Sequence, residues 1–214
     1  MKLVFLLAAL FTSFFMPAVA ADLPPDEMVR KTAEEVLAIV KQDKDIQSGN
    51  RAKIFALVDA KVLPHFDFAR MTRLAMGRNW SKANPEQQLA LIKEFRDLLV
   101  RTYSISLSQY RNQTVEYKPA PTKPGDTEAT VKTVVVQPGR QGVPIDYSMY
   151  KTEGGWKVQD IAVDGASLVT TYRGTFNDEI RQGGVELLLK TLKDKNQADS
   201  GAGSNAATGT DPKR

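Results

Sequence analysis

The sequence predicts an α+β protein: a curved antiparallel sheet of about four strands covered by helices, with an added N-terminal helical part. Three observations predict it. Apolar residues recur at helical spacing through the first half of the chain, then alternate with a period of two from Thr114 to Val163, then return to helical spacing after Ser167. The sheet segments are separated by short turn-forming runs, which suits hairpins better than crossovers. The helices before and after the sheet are therefore gathered on one of its faces.

The elements follow in order. Pro24-Pro25-Asp26 opens a helix whose inward face carries Val29, Ala33, Val36, Leu37 and Val40. A second helix starts at about Asn50, turns Ile54, Leu57, Val58 and Val62 inward, and stops before Pro64. Asp67 caps a short third helix bearing Phe68, Met71, Leu74 and Ala75. Asn84-Pro85-Glu86-Gln87 combines a cap, a first-turn proline and a glutamine three residues after the cap, the signature of a capping box. The helix it starts runs to about Tyr110, with a stripe of Ile92, Phe95, Leu99, Tyr103 and Tyr110 and with Leu107 alongside.

Thr114 to Tyr117 is a short strand. Ala129, Val131, Thr133 and Val135 alternate with a face carrying Lys132, and Val143, Ile145, Tyr147 and Met149 alternate with Asp146 and Ser148. Trp156 to Val163 is the next strand, and Asp164-Gly165 turns the chain out of the sheet. Ser167 caps a helix with Leu168, Val169, Tyr172, Phe176 and Ile180 on one face. Gly183-Gly184 breaks it, and Val185 to Lys195 continues with Leu188, Leu189 and Leu192 inward.

Both ends lie outside this core. Residues 1–20 read as a secretory signal: Lys2, an apolar run to Met16, and small residues at Ala18 and Ala20 before a cut ahead of Ala21. The run is short of the ~20 residues a spanning helix needs, which disfavours a membrane anchor. From Gln197 to Arg214 there is no large apolar residue, so the expected tail is 197–214 and disordered. The domain is then 21–196, divided into a helical part at about 24–112, the sheet at about 113–164 and C-terminal helices at about 166–195.

Composition narrows the chemistry. The 214 residues include no cysteine and one histidine, His65, which removes thiol catalysis, cysteine metal sites and any site built on a pair of histidines. A net charge of +4 from 29 basic and 25 acidic residues is too balanced to point to nucleic acid. No phosphate loop, metalloprotease helix or serine elbow is present. His65, between Pro64 and Phe66, reads as a packed or surface residue at a helix junction. Asp146, Asp160 and Asp164 read as surface and turn residues rather than a catalytic cluster. Arg70, Arg73, Arg78 and Lys82 form a basic stretch that suits either an anionic or acidic partner or a solvated helix face.

The stretches DFARMTRLAMGRNWSKANPEQQ (Asp67 to Gln88), EFRDLLVRTYS (Glu94 to Ser104), GVPIDYSMY (Gly142 to Tyr150) and GWKVQDIAVDGASLVTTYR (Gly155 to Arg173) resemble the MlaC, or toluene-tolerance auxiliary, family. The likeness spans about Asp26 to Asn196; Ala166 stands where a larger valine is expected. The resemblance implies a fold similar to nuclear transport factor 2. It also implies a periplasmic carrier that is not an enzyme and has no cofactor or metal. Its ligand would be a glycerophospholipid. Its partners would be an outer-membrane lipoprotein–porin complex and an inner-membrane ABC transporter with an MCE-domain subunit. The acyl chains are expected between sheet and helices, among Phe68, Met71, Leu74, Tyr103, Leu107, Tyr110, Val143, Ile145, Tyr147, Trp156, Ala166, Val169 and Tyr172. Partner docking is expected at Arg70, Arg73, Arg78 and Lys82. A chaperone for hydrophobic or acylated polypeptides, or an enzyme on the same cone-shaped fold, are the alternatives.

Overall fold

The computed structural model describes residues 23–201 except 111, 120, 121 and 124. The expected signal segment and most of the expected tail lie outside these residues. Among the described residues six α-helices accompany one sheet: α1 (Pro25–Gln42), α2 (Lys44–Gln47), α3 (Arg51–Lys61), α4 (Phe68–Met76), α5 (Pro85–Ser104) and α6 (Leu168–Gly201). The five antiparallel strands, β1 (Thr114–Tyr117), β2 (Glu128–Val136), β3 (Val143–Thr152), β4 (Gly155–Val163) and β5 (Ala166–Ser167), lie side by side in chain order.

The helix starts obey local chemistry. The Asn50 side chain accepts the Lys53 N–H, and Asp67 accepts that of Arg70. At α5 the capping box is complete: Asn84 accepts the Gln87 N–H while the Gln87 side chain accepts the Asn84 N–H, both at 2.9 Å. Two details differ from expectation. Asp43 caps the short α2, which had no periodic signal because four residues are one turn. The long helix ends at Ser104, and a 3-10 turn over Ile105–Gln109 replaces its expected last turns. Its buried stripe is Leu91, Phe95, Leu98 and Leu99, so Tyr103 leaves the core and is 42% exposed. The stripe is broad because α5 packs against α6, α4 and α3.

At the far end of the sheet, Asp164 and Gly165 both have positive φ, 51° and 79°. That is what a primed two-residue hairpin turn demands, and Asp-Gly is a favoured pair for it. The chain therefore does not leave the sheet there, as expected, but adds Ala166–Ser167 as a fifth strand along β4. Near its middle, β4 carries a parallel bridge between Phe66 and Val158. The predicted break in the last helix is present: Gly183 and Gly184 are non-helical, and Gly184, at φ 74° and ψ −170°, holds a conformation open essentially to glycine alone. Beyond it α6 continues to Gly201, past the expected boundary at 197. Asn196 anchors this segment by donating to the Glu94 carbonyl at 3.0 Å.

Apolar residues form three clusters. One joins α4, α5 and α6 around Phe95 and Phe176, whose rings meet edge to face at 5.0 Å. A second lies on the sheet, where Met28 and Val29 of α1 cover Val131, Met149, Trp156 and Val158. The third holds α1, α2 and α3 together through Val40, Ile46 and Ile54.

Candidate lipid-binding face

The register of the sheet decides which side chains share a face. Val131 pairs with Tyr147, Thr133 with Ile145, and Val135 with Val143. On the other side Tyr147 pairs with Ile161 and Ile145 with Val163. One residue of β4, Gln159, is unpaired between Asp160 and Val158, so β4 resumes alternation with Val158 opposite Met149. The inner face is thus a continuous apolar field: Val131, Thr133 and Val135; Val143, Ile145, Tyr147 and Met149; Val158, Ile161 and Val163. The outer face is polar, with Lys132 and Asp146 paired across it at 3.0 Å.

Burial along the inner face is graded. At one end Val131 and Met149 are fully buried beneath Met28 and Val29. At the other end Val143 is 42% exposed, and Val135, Ile145 and Val163 are only partly covered. A polar step lies between: Thr133 is buried and donates its hydroxyl to the Ile145 carbonyl at 3.1 Å. Beside it, burial pushes the Tyr147 phenol up, with the Thr133 hydroxyl opposing the shift. The face offers apolar contact that is open at one end and closed at the other, with no ionisable carboxylate on it.

The expected lipid residues divide among three packed groups, with Tyr103 and Ala166 exposed. Val143, Ile145, Tyr147 and Trp156 belong to the sheet. Phe68, Met71, Leu74, Val169 and Tyr172 pack in the α4–α5–α6 cluster, with Met71 only 1% exposed. Burial, with Tyr103 close by, pushes the Tyr172 phenol up to about 12. Leu107 and Tyr110 pack against the α1–α3 cluster. Ala166 is exposed in β5. Ala166, Val169, Tyr172 and Leu107 are thus outside the sheet cluster, whose closed end α1 covers. Met28 and the Val131–Met149–Val158 group lie on this face and were not among the expected lipid residues. Their strand alternation was visible, but which strands lie next to each other, and in what register, was not.

The basic stretch also divides. The Arg70 guanidinium lies 3.9 Å over the Tyr150 ring, and its Nε donates to Gln159 at 2.5 Å. Tyr150 in turn donates its hydroxyl to Asp67, the cap of α4. Arg70 thus fastens α4 to the outer face of the sheet. Arg73, Arg78 and Lys82 are exposed and, among the described residues, form no ion pair. Elsewhere, two surface clefts of about 500 and 360 Å³ lie among charged residues, the first lined by Asp43, Asp45 and Lys53, the second by Asp59, Arg96 and Arg101. The second also has Phe55, Ala56, Leu63 and Val100 in its wall; neither cleft includes a residue of the sheet. Among the described residues no group of three His, Asp or Glu could hold a metal ion, and no helix is long and apolar enough to cross a membrane.

An open antiparallel sheet with one apolar face, roofed by a helix at one end and flanked by a helical core, defines the class to which the molecule belongs, the MlaC-type α+β fold. The profile of the family described as MlaC protein matches residues 30–194, and the chain belongs to that family. It is 28% identical over 182 residues to the toluene tolerance protein ttg2D of Pseudomonas putida, covering 85% of this chain and 84% of that one. It is also similar to the crystal structure of a phospholipid-binding protein from Ralstonia solanacearum in complex with a phospholipid. There the TM-score is 0.78 and the identity 41%, covering 83% of this chain and 99% of that one.

Proposed function

We propose that this protein is a periplasmic phospholipid carrier that shields acyl chains on the inner face of its sheet. The observation that carries the reading is the half-open apolar face ending at Val143, in a chain 41% identical to a protein solved with a phospholipid. The physics suits a carrier rather than an enzyme. Two acyl chains hold roughly thirty methylenes, and at ~0.8 kcal/mol each their exposure to water costs more than ~20 kcal/mol. Release into water is therefore negligible. A bilayer shields the same methylenes equally well, so exchange with a membrane or a partner's pocket is near balance and needs no nucleotide or cofactor in the carrier. Direction is set by partners.

Those partners are an outer-membrane lipoprotein–porin complex and an inner-membrane ABC transporter with an MCE-domain subunit, and the shuttle maintains outer-membrane lipid asymmetry. Arg73, Arg78 and Lys82, exposed and unpaired, suit docking to acidic partner surfaces; Arg70 is committed to Tyr150 and Gln159. Native mass spectrometry of freshly purified protein tests the reading. Adducts of phospholipid mass are expected. Bound polypeptide would favour a chaperone, and an empty protein that turns over a small substrate would favour an enzyme.

A further inference from the structure

We propose that the first turns of α1 act as the end-stop of the lipid site, so that Met28 sets the acyl length the protein accepts. This rests on the carrier reading and specifies its ligand. The inner face has one open end and one closed end, and the closure comes from α1, with Phe66 packed beside it against β4. Met28 and Val29 seat on Val131, Met149, Trp156 and Val158. Arg30, one residue on, lies 4.7 Å over the Tyr117 ring and ties the same turn to the edge strand β1. The plug is thus held across the sheet rather than resting on it.

On the inner face of β3 only Val143 and Ile145 lie outside the packed cluster, and Tyr147 packs at its border. A chain entering at Val143 with its headgroup in water therefore runs along β3 toward the Met149–Met28 plug. Any methylene beyond the stop has to stay outside in water. At ~0.8 kcal/mol per methylene, each one disfavours the longer lipid about fourfold. Met28→Ala deepens the site from the closed end. Ile145→Trp shortens it from the open end.

The test presents the purified, delipidated protein with vesicles of equimolar dimyristoyl- and dioleoyl-phosphatidylglycerol and reads the bound pair by native mass spectrometry. Comparing variants cancels the vesicle as reference. Met28→Ala should raise the dioleoyl-to-dimyristoyl ratio at least fourfold over the unaltered protein, and Ile145→Trp should lower it. Met71→Ala, which empties an equally buried methionine in the helical core away from the sheet, should leave the ratio unchanged. Unchanged ratios in the first two variants, or an equal rise in Met71→Ala, overturn the end-stop. If Met28→Ala does not fold, Ile145→Trp carries the test alone. If the unaltered protein takes up neither lipid, it is the carrier reading that fails.

Discussion

Asp160, on β4, caps α6, the helix that follows β5: its carboxylate accepts the Ser167 hydroxyl at 2.5 Å and the Val169 N–H at 3.0 Å. Ser167 completes the arrangement by accepting the Thr170 N–H at 3.0 Å. Two first-turn donors of α6 are thereby satisfied, and the axis of α6 is fixed relative to the sheet that carries the apolar face. An aspartate that reads in sequence as a plain surface residue is a joint between the two halves of the fold.

Loss of that joint should be measurable. Ser167→Ala removes one cap acceptor and should cost about 1 kcal/mol of stability, as helix caps do. Asp160→Ala should cost about 1–2 kcal/mol. Because the two residues bond to each other, the double variant should cost less than the sum. Urea unfolding of the four proteins decides it; strict additivity would show that Asp160 and Ser167 act separately.

The basic residues should separate by role. Arg70→Gln loses the Tyr150 ring contact and should lower the thermal midpoint, as should Tyr150→Phe, which frees the Asp67 carboxylate. Arg73→Gln, Arg78→Gln and Lys82→Gln together should leave the midpoint unchanged and slow lipid transfer to an inner-membrane acceptor, most strongly at low salt, where steering by exposed charge matters. A transfer rate unaltered at low salt would show that these three charges only solvate the surface.

Val143→Glu should fold and lose lipid. Its side chain already reaches water, so the carboxylate can stay hydrated in the empty protein, whereas packing acyl chains around it would strip that hydration. Lys132→Gln, on the outer face, gives up only an exposed ion pair and should keep lipid. Circular dichroism and lipid mass spectrometry on the same samples separate the outcomes. A folded Val143→Glu protein that still carries lipid would place the site elsewhere.

His65 should make stability depend on pH in the mildly acidic range. Burial, aided by Lys157, depresses its pKa below the usual histidine value of 6.5. The unfolded chain then binds a proton that the folded protein refuses as pH falls below about 6.5. Stability is therefore full above that pH and declines as pH drops toward the lowered value. In His65→Gln this part of the slope should vanish; its persistence would assign the effect to other groups.

Much of the fold was legible because its signals are local. A cap at Asn84 followed by Pro85 and Gln87, or alternation from Val143 to Met149, reports backbone geometry within one or two turns of the residues concerned. At Asp164-Gly165 the turn was legible but not the hairpin: Ala166–Ser167 is too short to show alternation, so the chain read as leaving the sheet there into a helix. The candidate site was less legible. Met71, Val169 and Tyr172 have the same apolar character whether they fill a helical core or line a cavity, and Arg70 has the same charge whether it meets a partner or lies on Tyr150.

By itself the sequence determined the class: helices, an antiparallel meander and a broken terminal helix, with no thiol or paired-histidine chemistry. These follow from periodicity, capping and composition, which act over a few residues. Only the tertiary structure decided the rest: that Met28 closes the sheet face Val143 leaves open, that Asp160 holds α6, and that Arg70 is spent inside the molecule. Each of these joins residues distant in the chain through strand register and helix placement, and such contacts depend on the packing of the whole chain, which no local pattern encodes.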